Sequence, residues 1–178
     1  LTFHSANAIP TAFSPDGKEV LLTSGRQDRH TAVIGTTSME ELYSIPLSGG
    51  RPNQIMTTSA NFANFSPDGK KIAFHDYKGY EDNLRKHHVS SVTRDVWTYE
   101  LASGKYKKLS EFASEDRNPV WSIDGKSIFF LSAESGTLNV WKVNSNDSSK
   151  RSQVNDHTIH TARFLTRADD ETLCYGFN

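Results

Sequence analysis

The sequence predicts an all-β chain, a β-propeller built of four-stranded antiparallel blades, and three observations predict it. A hairpin motif recurs: Ala12-Phe13-Ser14-Pro15-Asp16-Gly17-Lys18 returns as Asn64-Phe65-Ser66-Pro67-Asp68-Gly69-Lys70 and as Val120-Trp121-Ser122-Ile123-Asp124-Gly125-Lys126. Each copy is followed by a second element with large apolar residues at alternate places: Leu42-Tyr43-Ser44-Ile45, Val96-Trp97-Thr98-Tyr99 and Val140-Trp141-Lys142-Val143. The copies are spaced by about 50 residues, a period that belongs to propeller blades or solenoids.

The hairpin comes first in each unit. An aromatic strand runs into Ser-Pro-Asp-Gly, where proline presets φ, aspartate suits the next position and glycine takes the left-handed conformation denied to most residues. Pro15, Asp16, Gly17, Pro67, Asp68, Gly69, Asp124 and Gly125 are therefore turn residues. Ile123 replaces the proline of the third copy and should weaken the preset, whereas Gly125 keeps the residue the turn needs most. A degraded fourth copy begins at Phe164 and ends in Leu173-Cys174-Tyr175. The second element has strand spacing rather than helix spacing. A further turn leads from it into a short fourth strand ending near Ile55, Leu109 or Val154.

Four strands per unit place blades at 8–57, 60–112 and 116–155, with a half-blade at 159–177. Residues 1–4 read as the last strand of a preceding blade. The chain is then one partial propeller domain, 1–178, of about three and a half blades within a ring of six or seven, since propellers close with ~4–8 blades. Tyr43, Trp97 and Trp141 hold equivalent strand positions and read as interblade packing.

Composition narrows the function. The 178 residues carry 20 Lys+Arg against 21 Asp+Glu, a net charge of −1, so no nucleic-acid partner is indicated. Only 35% of residues are hydrophobic, and the longest wholly apolar run, Ile128-Phe129-Phe130-Leu131, is far short of the ~20 residues of a membrane helix. No membrane span is expected. Cys174 is the single cysteine, which rules out an internal disulfide framework or a multi-cysteine metal site. A phosphate-binding Gly-rich loop and a Gly-x-Ser-x-Gly elbow are both lacking, and no cofactor is assigned.

The Phe-Ser-Pro-Asp-Gly-Lys hairpin, the aromatic strand and the Ser-Gly turn resemble the WD-like propeller repeat of the TolB and tricorn-protease families, over nearly the whole chain. The segment His75-Asp76-Tyr77-Lys78-Gly79-Tyr80 through Arg85-Lys86-His87-His88-Val89-Ser90-Ser91-Val92-Thr93-Arg94-Asp95-Val96-Trp97 is similar to a stretch of bacterial tricorn-type serine peptidases. There it belongs to an N-terminal six-bladed propeller. The resemblance implies a noncatalytic propeller module that filters or guides peptide substrate and supports assembly, with homo-oligomers formed through the parent protein. It also implies a serine-protease half beyond Asn178, so the parent is a hydrolase while this segment is not. No catalytic residue is transferred. The sequence departs from the family's pattern at Ile123, where proline is missing, and in the eroded fourth hairpin. An extracytoplasmic address, periplasmic for example, is favoured over a cytoplasmic one. The alternative is a TolB-like protein–protein interaction propeller with no protease half. An enzyme acting within the ring comes last, because the repeated hairpins place only hydroxyl and apolar residues at equivalent positions.

For binding, the interhairpin insertion of the second blade stands out, because long loops on rigid scaffolds tend to carry recognition. Tyr80, Arg85, Lys86, His87, His88 and Arg94 form its candidate peptide- or partner-binding set, the cations being suited to a carboxylate. A solvated basic loop, paired with Glu81 and Asp82, is the plainer reading. His87 and His88 would point to opposite faces of a strand, and His157 and His160 would share a face only on a helix, so no metal is assigned.

Overall fold

The computed structural model describes residues 4, 6–26, 39–80, 89–110 and 112–177, and within them fourteen strands and no helix. Three sheets have four strands each in sequential antiparallel order. The first holds β1 (Ile9–Phe13), β2 (Glu19–Ser24), β3 (Glu41–Pro46) and β4 (Asn53–Met56). The second holds β5 (Ala60–Phe65), β6 (Lys71–Asp76), β7 (Val96–Glu100) and β8 (Lys105–Lys108). The third holds β9 (Asp116–Trp121), β10 (Ser127–Ser132), β11 (Asn139–Asn144) and β12 (Asp147–Gln153). A two-stranded sheet, β13 (Ala162–Arg167) and β14 (Leu173–Phe177), follows. The strand expected at residues 1–4 lies outside the described residues except for His4.

The core lies between the sheets, and side-chain alternation puts it there. Along β6, Ile72 and Phe74 face the first sheet and meet Leu21, Leu42 and Met56, while Ala73 faces the third. Along β10, Ile128 and Phe130 pack back on Val96 and Leu109, while Phe129 and Leu131 pack forward on Ala162 and Leu165. A strand buried on both faces must be apolar at every position, which explains the run Ile128 to Leu131. These interlocked faces stack the sheets blade on blade. The first strands then fall side by side, β1 against β5, β5 against β9 and β9 against β13, forming the inner wall that faces the central channel of a propeller.

The repeated turns are built alike. The Gly17 N–H donates to Ser14 O (2.9 Å), and Asp16 Oδ1 accepts from Ser14 Oγ (2.6 Å) and the Lys18 N–H (3.1 Å). The same bonds recur at Ser66, Asp68 and Gly69 and at Ser122, Asp124 and Gly125. The three glycines have φ of +67°, +70° and +67°. The Ser14 and Ser66 hydroxyls hold the carboxyls of Asp16 and Asp68 below their ordinary range, and the Lys126 amide does so for Asp124. Ile123 leaves this geometry intact.

The fourth copy differs from the sequence expectation. Phe13, Phe65 and Trp121 pair with Val20, Ile72 and Ile128, and the residue with that register in the fourth sheet is Arg167, paired with Leu173. Phe164 is thus not the strand anchor. The turn Ala168–Thr172 is one residue shorter than the others, closing through Ala168 N–H to Thr172 O (2.9 Å), and that shift displaces the alignment read from the sequence.

Candidate functional site

Two places on this scaffold carry unusual chemistry: the base of the second-sheet insertion, and the inner wall. At the first, Arg85, Lys86, His87 and His88 lie outside the described residues. Tyr80 is exposed (75%). Arg94 is not: only 7% exposed, its Nη1 donates to Glu115 Oε1 and its backbone N–H to Glu115 Oε2 (3.2 Å). Its guanidinium is already committed to a buried carboxylate, so it anchors the insertion to the third sheet instead of offering itself to a ligand.

Lys78 fixes the other end of the insertion. Its Nζ donates to Asp95 Oδ2 (2.6 Å) and Thr93 O (2.7 Å), and Asp76 Oδ2 lies 3.5 Å away. Burial, the largest influence on Lys78, favours the free amine, but Asp95 and Asp76 outweigh it and raise its pKa. Asp76, raised by its own burial, still accepts the Asp95 N–H (2.8 Å) and Trp97 Nε1–H (3.1 Å). Deeper in, burial and then the charges of Arg94 and Arg117 hold the His75 imidazole well below its usual range. It is therefore neutral, and its Nδ1 accepts the Asn118 N–H (3.1 Å).

At the start of β9, burial pushes the Asp116 carboxyl up to about 7, and the nearby charge of Asp95 adds to the effect. Ser132 and Ser110 oppose the shift, yet among the described residues neither oxygen of Asp116 has a donor within hydrogen-bond geometry.

The inner wall has a repeated irregularity. Every first strand holds one residue more than the strand it pairs with: Thr11 is extra in β1, Phe62 and Ala63 face Phe74, Asn118 and Pro119 face Phe130, and Phe164 and Leu165 face Tyr175. These are β-bulges, which re-aim side chains. The leading residue of the last three has left-handed φ: 52° at Phe62, 53° at Asn118 and 55° at Phe164. Asparagine tolerates that region, whereas for other L-residues it costs roughly 1–2 kcal/mol.

The strained phenylalanines gain little burial in return. Phe62 is 52% exposed, lying on the His75 ring with centroids 5.2 Å apart, and Phe164 is 72% exposed above Gly176. Both line a groove of about 740 Å³ that also takes in Phe13, Asn118 and Ile123 and runs along the first strands to the turns. The charged residues lining it are Arg167 and Asp169, one of each sign.

Sequence reasoning missed these bulges. Their signal was a break in alternation: Ala60 and Ala63, three apart, both pack into the cluster between the first two sheets, whereas regular alternation sends residues three apart to opposite faces.

Residues 1–176 match the family described as the tricorn protease N-terminal beta propeller domain. The chain belongs to this family. Dipeptidyl-peptidase 5 of Porphyromonas gingivalis is 27% identical over 138 residues, 74% of this chain and 19% of that protein. Among solved structures, TolB from Acinetobacter baumannii superimposes with a TM-score of 0.63 at 22% identity, over 95% of this chain and 40% of that one. A puromycin-hydrolyzing peptidase of Mycobacterium tuberculosis gives 0.70 at 14% identity, over 96% and 28%. The two solved structures share the fold of this chain. The chain spans about a fifth of the curated relative and two fifths of the TolB chain.

Proposed function

We propose that this chain is the noncatalytic propeller module of a tricorn-like serine peptidase, and that its inner groove receives unfolded peptide and guides it toward a protease half. The observation carrying this reading is the groove itself, walled by the first strands and presenting exposed aromatic rings with nearly balanced charge. Such a surface suits polypeptide of varied sequence better than a charged polymer. The hydroxyl of Ser66, which lines the groove, is engaged by Asp68 and by the Lys71 N–H, so it is held as a turn element.

A second reading, a TolB-like interaction propeller, rests on the fold shared with the Acinetobacter structure. The deciding experiment takes the reading frame on both sides of the chain and assays peptide hydrolysis by the full-length product and by this segment. Cleavage by the full-length protein alone supports the module reading. A frame that completes a ring with no protease region, and a product that captures a folded partner but no peptide, supports the interaction propeller.

A further inference from the structure

We propose that Phe62 and Phe164 are peptide-contact residues, taking large apolar side chains of an extended chain in the groove; this rests on the peptide-guiding reading above. The two rings occupy the same bulge position on β5 and β13, with β9 between them. In both, a bulky residue holds a left-handed φ that asparagine supplies with less strain at Asn118, the matching position of β9. The side chains are half or more exposed and line one groove, so folding alone does not explain why the strained residue is phenylalanine. Strain kept at a surface position that packing does not reward is a mark of a ligand site. An exposed ring on a rigid strand binds apolar and aromatic side chains at little entropic cost, because its orientation is already set. The near-neutral lining selects against strongly charged segments.

The test uses Phe62→Asn and Phe164→Asn, singly and together, which copy the native residue of the middle bulge. The probes are a labelled, unstructured, uncharged peptide bearing phenylalanines and its counterpart with serine in their place. Fluorescence anisotropy in the full-length protein should show tighter binding of the phenylalanine peptide. In the double variant that affinity should fall on the order of tenfold, while the serine peptide changes little. Melting temperature at Phe164→Asn should stay level or rise, since the new residue relieves the backbone. Ile159→Ser, which removes an exposed apolar side chain outside the groove, should leave affinity unchanged. Equal affinity for both peptides in the parent protein would overturn the proposal, as would unaltered affinity in the double variant beside a lowered melting temperature. Failure of the parent to bind either peptide would overturn the peptide-guiding reading along with it, a result distinct from the other two.

Discussion

The junction between the second and third sheets and the junction between the third and fourth are built from the same repeat with opposite chemistry. At the earlier junction the turns meet as proline on glycine: a β-carbon added at Gly125 would lie 3.5 Å from Pro67 Cδ. The contact repeats one sheet earlier, Gly69 against Pro15. At the later junction Ile123 stands where proline was and Glu171 where glycine was, and the amide that proline would lack donates to Glu171 Oε1 (3.1 Å). Glu171 has φ of 66°, the angle its glycine counterparts hold. Two departures that separately look like decay form one reciprocal contact, a hydrogen bond in place of a packed pair. At its far end the earlier junction holds buried Arg94 and Asp116 with the largely buried Glu115, whereas the third sheet at the same stage uses neutral Asn139, whose Oδ1 accepts the His157 N–H (2.8 Å).

The heaviest blow to the earlier junction is Arg94→Met. It leaves Glu115 with Arg117 at 3.6 Å as its remaining cation among the described residues, in a site where both side chains are largely buried. Breaking a buried pair from one side costs roughly 3–5 kcal/mol, and urea unfolding should show a loss near the lower figure because Arg117 stays. Replacing Asn139 by Ala at the later junction should cost less, since no charge is stranded.

Acidity separates the junctions next. The folded pKa of Asp116, about 7, stands above its ordinary 3.8. Its contribution to stability is therefore complete below about pH 4 and is lost as pH rises through 7, an effect of up to a few kcal/mol. The groups around it are Asp95 from the residue before β7, Arg151 from β12, and the hydroxyls of Ser110 and Ser132. His75 works oppositely: its lowered pKa gives stability that is present above 6.5 and lost as pH falls. In Asp116→Asn, measured against the parent, the gain in unfolding free energy should grow from about pH 4 to 7 and then level off. A difference constant with pH would show that Asp116 is already ionised in the folded chain.

Turn geometry comes third. Gly125→Val forces a β-branched residue to φ near +67° and brings its β-carbon to Pro67, which should cost roughly 2 kcal/mol in chemical denaturation. Glu171→Val should cost less, since a side chain already occupies that angle and the chief loss is one exposed hydrogen bond.

What the sequence made legible was local. The turns could be read because Ser, Pro, Asp and Gly act within a few residues, and the strands because β10 is apolar at consecutive positions. Arg94 could not be placed, because its partner Glu115 is 21 residues away, just before the first strand of another sheet. The fourth anchor was misread as Phe164 because a phenylalanine stood there, and only the register revealed a shortened turn with Arg167 in the anchor position. The bulge left a faint trace, two buried alanines three apart in β5, whose meaning depends on which strand lies opposite. Glu171 illustrates the same limit: its role is set by an amide 48 residues earlier.

That pair supports the smallest and sharpest test. Ile123→Pro restores the repeat's own residue yet removes the donor that Glu171 uses, and should lower stability by about 0.5–1 kcal/mol, the net worth of one exposed hydrogen bond. Glu171→Gly alone loses the same bond but relieves a left-handed side chain, so the two effects offset and the change should be near zero. If the contact is reciprocal, the double variant Ile123→Pro with Glu171→Gly rebuilds the proline-on-glycine junction seen at Pro67 and Gly125, and should be more stable than the two single changes add up to. A double-mutant cycle by urea denaturation reads this directly. Additive values would mean that the two substitutions arose without reference to each other and that the hydrogen bond is incidental to the junction.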